Sequence, residues 1–214
     1  MGRPPAGAKS GERVKDYPQL SIRVPVEFKA RLNALSAVTG RLPRTGAVAT
    51  AVAALLGPAV ASYTAVLAAD TAVPAWHGAH RELPYLFTAS ATAAASGMAL
   101  VVAPPRENAP ARLAAVLAAA GESAATEAAE RRLGMVAETW REGRAGTLLR
   151  AARALTLAGA ATAALAGGRS RPTAVLGGLA LLGGSVCTRF GIFAAGTASA
   201  QDPKYTVVPQ RNGE

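Results

Sequence analysis

Thr173–Ala200 reads TAVLGGLALLGGSVCTRFGIFAAGTASA and runs on into DPKYTVVPQ. The run is long and apolar, with one arginine, Arg189, far from either end. A helix satisfies its own backbone hydrogen bonds, so about 20 mostly apolar residues cross the hydrocarbon core of a bilayer. Gly177, Gly178, Gly183 and Gly184 would weaken a helix in water. In lipid, small residues let helices approach closely, and these four read as a packing face. Arg189 is costly near mid-bilayer, which leaves two readings: it faces a protein interior or wet cavity, or it snorkels to the nearer interface.

Working outward, the composition changes in blocks. Half of the 214 residues are hydrophobic but only 5% are aromatic, and 9 of the 23 Lys and Arg residues precede Thr45. The pattern predicts an all-α membrane protein: a basic segment, residues 1–44, a bundle of four or five transmembrane helices over 45–200, and a polar tail, 201–214. Predicted spans are 45–69, 83–103, 147–167 and 173–199. Gly57-Pro58 predicts a kink in the first. Segment 112–132 carries Glu122, Glu127 and Glu130 and is left open between crossing, lying at the interface and staying outside. Glycine-rich 134–146 reads as a linker. Charge counting favours four spans, because the arginines of 131–144 then share the cytoplasmic side with the N-terminus. The net charge of +10 points to an anionic partner, with the lipid bilayer the first choice. Residues 1–20 are polar, so no signal peptide is expected.

Within the basic segment, Leu20, Ile22 and Val24 alternate with Ser21 and Arg23 as in a short strand, and Val26–Thr39 follows at helical spacing. This stretch, YPQLSIRVPVEFKARLNALSAVTG, resembles the first half of a ribbon-helix-helix DNA-binding protein. The resemblance implies base contacts by Ser21 and Arg23 and, as an alternative function, a membrane-tethered DNA-binding regulator. The family's second helix is not found before Thr45, so nucleic acid is not the expected partner. The competing readings of this arm are a basic segment on the cytoplasmic membrane face and a non-functional fusion product.

No soluble-enzyme motif is present: there is no P-loop, CxxC pair, HExxH or GxSxG, and no catalytic residue is assigned. A single cysteine, Cys187, excludes an internal disulfide and a cysteine-ligated cluster within the chain. His77 and His80 sit with Trp76 in the polar connector 70–82, where tryptophan suits a membrane interface, and no metal site is expected there. No predicted span holds a histidine, so no haem is expected. The ionisable set of the bundle is Arg189, Glu122 and Asp70. A carboxylate and a guanidinium sharing a buried cavity would serve either as a charge clamp between helices or in proton handling.

Two stretches are more specific. SYTAVLAADTAVPAWHGAHRELPYLFTAS and TRFGIFAAGTASAQDPKYTVVPQ, with the Glu122 helix and AARALTLAGA, resemble the C-terminal half of the NrfD, or polysulfide-reductase, membrane-anchor family over about 41–211. The resemblance implies a fifth span at 112–132 and a haem-free subunit in the cytoplasmic membrane. It also implies an iron–sulfur subunit and a molybdopterin catalytic subunit as partners, with electrons exchanged with menaquinone or ubiquinone. Arg189, Glu122 and Asp70 then become the candidates for quinone-linked proton handling, in a subunit that is not catalytic alone. The family's first bundle is not seen, so the anchor is expected to be incomplete.

Overall fold

A computed structural model describes residues 43–212. The chain divides into two units, Met1–Leu56 and Gly57–Glu214. The described elements are α1 (Pro43–Ala69), α2 (Pro74–His77), α3 (Leu83–Val102), α4 (Ala109–Leu133), a 3₁₀ turn (Gly134–Ala137), α5 (Glu138–Arg141), α6 (Gly143–Leu165), α7 (Arg171–Gln201) and α8 (Lys204–Asn212). There is no strand among the described residues. The strand expected at 20–24, with Ser21 and Arg23, lies outside them.

Four helices are long and apolar enough to cross a membrane: the 51–69 part of α1, α3, α6 and α7. They match the four predicted spans, though α7 runs on to Gln201. α1 continues through Gly57-Pro58 without a break in its helical assignment.

In the second unit, α3, α4, α6 and α7 pack as a ring of neighbours, α3 on α4 and α7, and α6 on α4 and α7. The turns 103–108 and 166–170 are short, as antiparallel neighbours require. Arg171 closes one of these turns: its guanidinium donates to the carbonyls of Leu100, Val101, Val102 and Ala103, which the end of α3 leaves without intrahelical partners. Across the same end, buried Asn108 donates from Nδ2 to Gly167 O at 2.9 Å. At the opposite end the expected linker is structured. Gly134 and Gly143, at φ 54° and 57°, bracket the 3₁₀ turn and α5 in a conformation that side chains with a Cβ resist.

The interior is built from small residues. Ala93, Ala115, Ala118, Ala160 and Ala163 are buried, while Leu113, Leu117, Leu176, Leu179, Phe190 and Phe193 are exposed. A Cβ on Gly97 would stand 2.7 Å from Gly178 O, and one on Gly159 would stand 2.8 Å from Gly177 O, so backbones touch at both crossings. Gly184 is pressed against Thr156, whereas Gly183 has only an ordinary contact with Leu155. Three of the four glycines singled out in α7 therefore form the packing face. Small residues inside with leucine and phenylalanine outside is the arrangement a bundle adopts when its solvent is as apolar as its side chains.

Candidate functional site: a polar belt across the bundle

Two apolar cores stack along the bundle. One gathers Leu83, Leu86 and Phe87 of α3 with Ala125, Ala129 and Leu133 of α4 and Ile192 and Ala195 of α7. The other gathers Ala93 and Leu100 with Ala115, Ala118, Ala119, Ala160 and Leu181. Between them every helix of the ring contributes a buried polar residue: Ser90 from α3, Glu122 from α4, Thr156 from α6, and Ser185 and Thr188 from α7. Ser90 and Ser185 share a hydroxyl hydrogen bond at 3.0 Å. Thr188 Oγ1 donates to Glu122 Oε1, tying α7 to α4.

Glu122 is 6% exposed. It stands 11 residues before the end of α4, roughly 16 Å along the axis. A cleft of ≈ 150 Å³ leads to it along the seam of α4 and α6. Its α4 wall is Glu122, Ser123, Thr126 and Glu130, of which Glu122, Thr126 and Glu130 stand at helical i, i+4, i+8 spacing, and its α6 wall includes Leu149, Arg150, Arg153 and Thr156. Trp140 and Arg141 of α5 also line it. Three buried atoms of this lining have no hydrogen-bond partner: Glu122 Oε2, Thr156 Oγ1 and Trp140 Nε1. Unsatisfied polar atoms in a dry core cost about 1–3 kcal/mol each, so a cleft that leaves three of them bare is suited to water or to a polar ligand. Arg141 Nε pairs with Glu130 Oε2 at 2.8 Å, and Arg150 donates to Arg141 O at 2.8 Å.

The residues expected to act together are not assembled as a group. Arg189 and Glu122 do not pair. Thr188 turns inward to the carboxylate, and its neighbour Arg189, one helical step round, is exposed with its guanidinium 5.3 Å from the Phe87 ring centre. No ion pair involves Arg189 among the described residues. Asp70 is exposed just beyond the end of α1, away from the belt. His77 and His80 stack with ring centres 5.8 Å apart. Each donates from Nδ1 to a carbonyl, His77 to Ala69 at 3.3 Å and His80 to His77 at 2.9 Å. Among the described residues no three His, Cys, Asp or Glu side chains converge as metal ligands would.

Trp76 is half-buried and docked on α7. Its Nε1 donates to Ile192 O at 2.9 Å, its ring tilts against Phe193, and Gly196 makes room for it. Beside it, Ala75 N donates to Ser199 Oγ at 3.2 Å. The connector is thus fastened to the bundle rather than merely lying at an interface. Sequence reading missed Thr156, Thr188, Ser90, Ser185 and Trp140. The one available signal was the recurrence of the four hydroxyl residues in register with Glu122, at least one polar residue per ring helix at matching depth; nothing marked Trp140.

No family model matches the chain, and neither a curated protein nor a solved structure matches it.

Proposed function

We propose that the chain is a multi-pass membrane-anchor subunit of a quinone-linked molybdopterin and iron–sulfur oxidoreductase complex, resident in the cytoplasmic membrane. The observation that carries this reading is Glu122, a carboxyl held at mid-depth between α4, α6 and α7 and reached by a polar cleft. Ionisable groups inside membrane bundles are costly and mark paths for protons, ions or substrates. A carboxyl with one oxygen fixed by Thr188 and the other buried without a partner, in the lining of a polar cleft, can take up and release a proton without leaving its position. Proton handling of this kind accompanies quinol oxidation, which releases protons as well as electrons. Electrons pass to clusters held by the partner subunits. The chain would supply the membrane seat and the proton route, so its role depends on assembly.

The test uses the full chain, extracted in detergent from cells that also express an iron–sulfur and a molybdopterin subunit. The anchor reading expects both to co-purify. Glu122→Gln, which keeps the shape and the Thr188 contact, is expected to preserve assembly and lower quinol-linked turnover by about 10²-fold, the lower end of what a positioned proton-transfer group contributes. Assembly with full turnover would remove Glu122 from the route. Absence of either partner from an intact bundle would remove the anchor role.

A further inference from the structure

The mouth of the cleft carries a second chemistry. Arg150 and Arg153 are exposed on α6 and neither enters an ion pair among the described residues. Arg150 makes one backbone contact, to Arg141 O. Beside them Trp140, 1% exposed, is part of the same cleft's lining, and its buried indole N–H has no acceptor among the described residues. Buried tryptophan N–H groups ordinarily find a partner. The cleft is lined by Arg141, Arg150 and Arg153 and by the carboxyls of Glu122 and Glu130, and Arg141 pairs with Glu130, which leaves Arg150 and Arg153 as its unpaired guanidiniums among the described residues. Two free cations and an unused neutral donor around one opening call for an anionic, multiply accepting group. Phosphate fits, because arginine matches its oxygens with paired N–H bonds.

The surface beyond the mouth selects among phosphates. Continuing along α6 from Arg153, the residues at helical spacing are Leu157, Ala161 and Ala164, all exposed. A free phosphate has no use for such a stripe. An amphiphile does: its head would sit at the arginines and its chains would lie along the smooth apolar face. Arg150 and Arg153, three residues apart, share one face of α6, so a single headgroup can meet both.

We propose that Arg150, Arg153 and the Trp140 indole hold the phosphate of an anionic phospholipid, whose chains run along the Leu157–Ala164 face of α6. The inference rests on the membrane reading of the bundle and is independent of the oxidoreductase role. An occupied mouth would also regulate access of water to Glu122.

The experiment is native mass spectrometry of the full chain in detergent, titrated with phosphatidylglycerol, with phosphatidylcholine of the same chains, and with inorganic phosphate as competitor. Expected is one retained phosphatidylglycerol, retention of phosphatidylcholine at least tenfold weaker, and no displacement by millimolar phosphate. The Arg150→Gln/Arg153→Gln double variant is expected to lose retention about tenfold or more. Arg169→Gln, which removes a positive charge at the other end of the bundle, is expected to leave retention unchanged. Trp140→Phe keeps the ring and removes only the donor, and is expected to lower retention severalfold while the melting temperature in detergent stays close to that of the parent. Equal retention of both lipids, or by the double variant, would overturn the proposal. Displacement by inorganic phosphate would reassign the mouth to free phosphate. A chain that is monodisperse without detergent would instead strike the membrane reading, and so is told apart from a failure of lipid selectivity.

Discussion

A methyl group added at Gly178 would run into Gly97 O on the facing helix, a backbone atom that cannot turn aside. Gly178→Ala is therefore expected to destabilise the bundle by about 1–3 kcal/mol, the usual range for overpacking, read as a lowered melting temperature in detergent. Gly57→Ala meets nothing within 4 Å and is expected to leave the melting temperature unchanged or slightly raised. Equal effects of the two would show that close backbone approach is not what holds α3 to α7. The glycines of α7 were legible in the sequence because their spacing is unsuited to a helix in water. Glu122 was legible for a related reason, as a carboxylate within an alanine-rich segment. Its partners were not. A threonine in a helix commonly satisfies itself on the carbonyl four residues back, and Gly184 O lies 3.1 Å from Thr188 Oγ1; nothing in the sequence marks that its one proton is shared with Glu122. Arg189 was drawn toward Glu122 by charge alone, yet one residue of rotation on a helix, about 100°, separates a side chain facing the ring from one facing away.

At the scale of the element, α4 is the case the sequence left open. Its alanines carry no strong periodicity, and its glutamates lower its hydropathy below that of the other long helices. In the structure it is 25 residues long and packs on both α3 and α6, burying Ala115, Ala118, Ala119, Glu122, Ala125 and Ala129. What makes it a member of the ring is the smallness of that face, which a hydropathy average does not register. The connector was undervalued in the same way: Trp76 reads as an interfacial aromatic until α7 presents Gly196 beneath it and the Ile192 carbonyl beside it. Trp76→Phe is expected to lower stability by about 1 kcal/mol through the lost N–H bond, measured by thermal unfolding in detergent. No change would mean that the bond contributes nothing to docking. The tail was expected to be merely polar, and instead α8 is anchored by Lys204 Nζ on Glu138 Oε2 at 2.7 Å. The Lys204 hydrogen bond and charge hold the Glu138 carboxyl below the usual carboxylate range, and Glu138 in turn raises the Lys204 ammonium. The contact therefore contributes across neutral pH. Its acid limb is lost as pH falls through the lowered carboxyl value, below the usual carboxylate range, and its alkaline limb as pH rises through the raised ammonium value. The protection of 204–208 against hydrogen exchange, taken relative to the intrinsic rate at each pH, is expected to fall in acid and at high salt while α7 stays protected. Exchange indifferent to both would leave the tail held by something else.

For the molecule as a whole, the antiparallel order brings connectors 70–82 and 134–142 and the start of the tail to one end, and turns 103–108 and 166–170 to the other. The four ion pairs among the described residues, Arg131–Glu127, Arg132–Glu82, Arg141–Glu130 and Lys204–Glu138, all lie toward the connector end. Among the described residues Arg81, Arg144, Arg150 and Arg153 toward that same end, and Arg106, Arg112, Arg169 and Arg171 toward the turn end, enter none. Charge counting favours four crossings, and the helices long and apolar enough to cross are four among the described residues, α4 not being one of them. Pairing was invisible to that count, because Arg132 meets Glu82 across 50 positions of chain. We propose that α4 crosses with its neighbours in the ring, that the turn end faces the cytoplasm, and that the belt at Glu122 lies within the bilayer. The most direct measurement is membrane-impermeant thiol labelling of single cysteines, Arg106→Cys and Glu142→Cys, each in a Cys187→Ser background, on membrane vesicles of known orientation. Five crossings predict that the two positions label from opposite faces, Arg106→Cys from the cytoplasmic one. Labelling of both from the same face would mean that α4 does not cross, and would contradict the account at its centre.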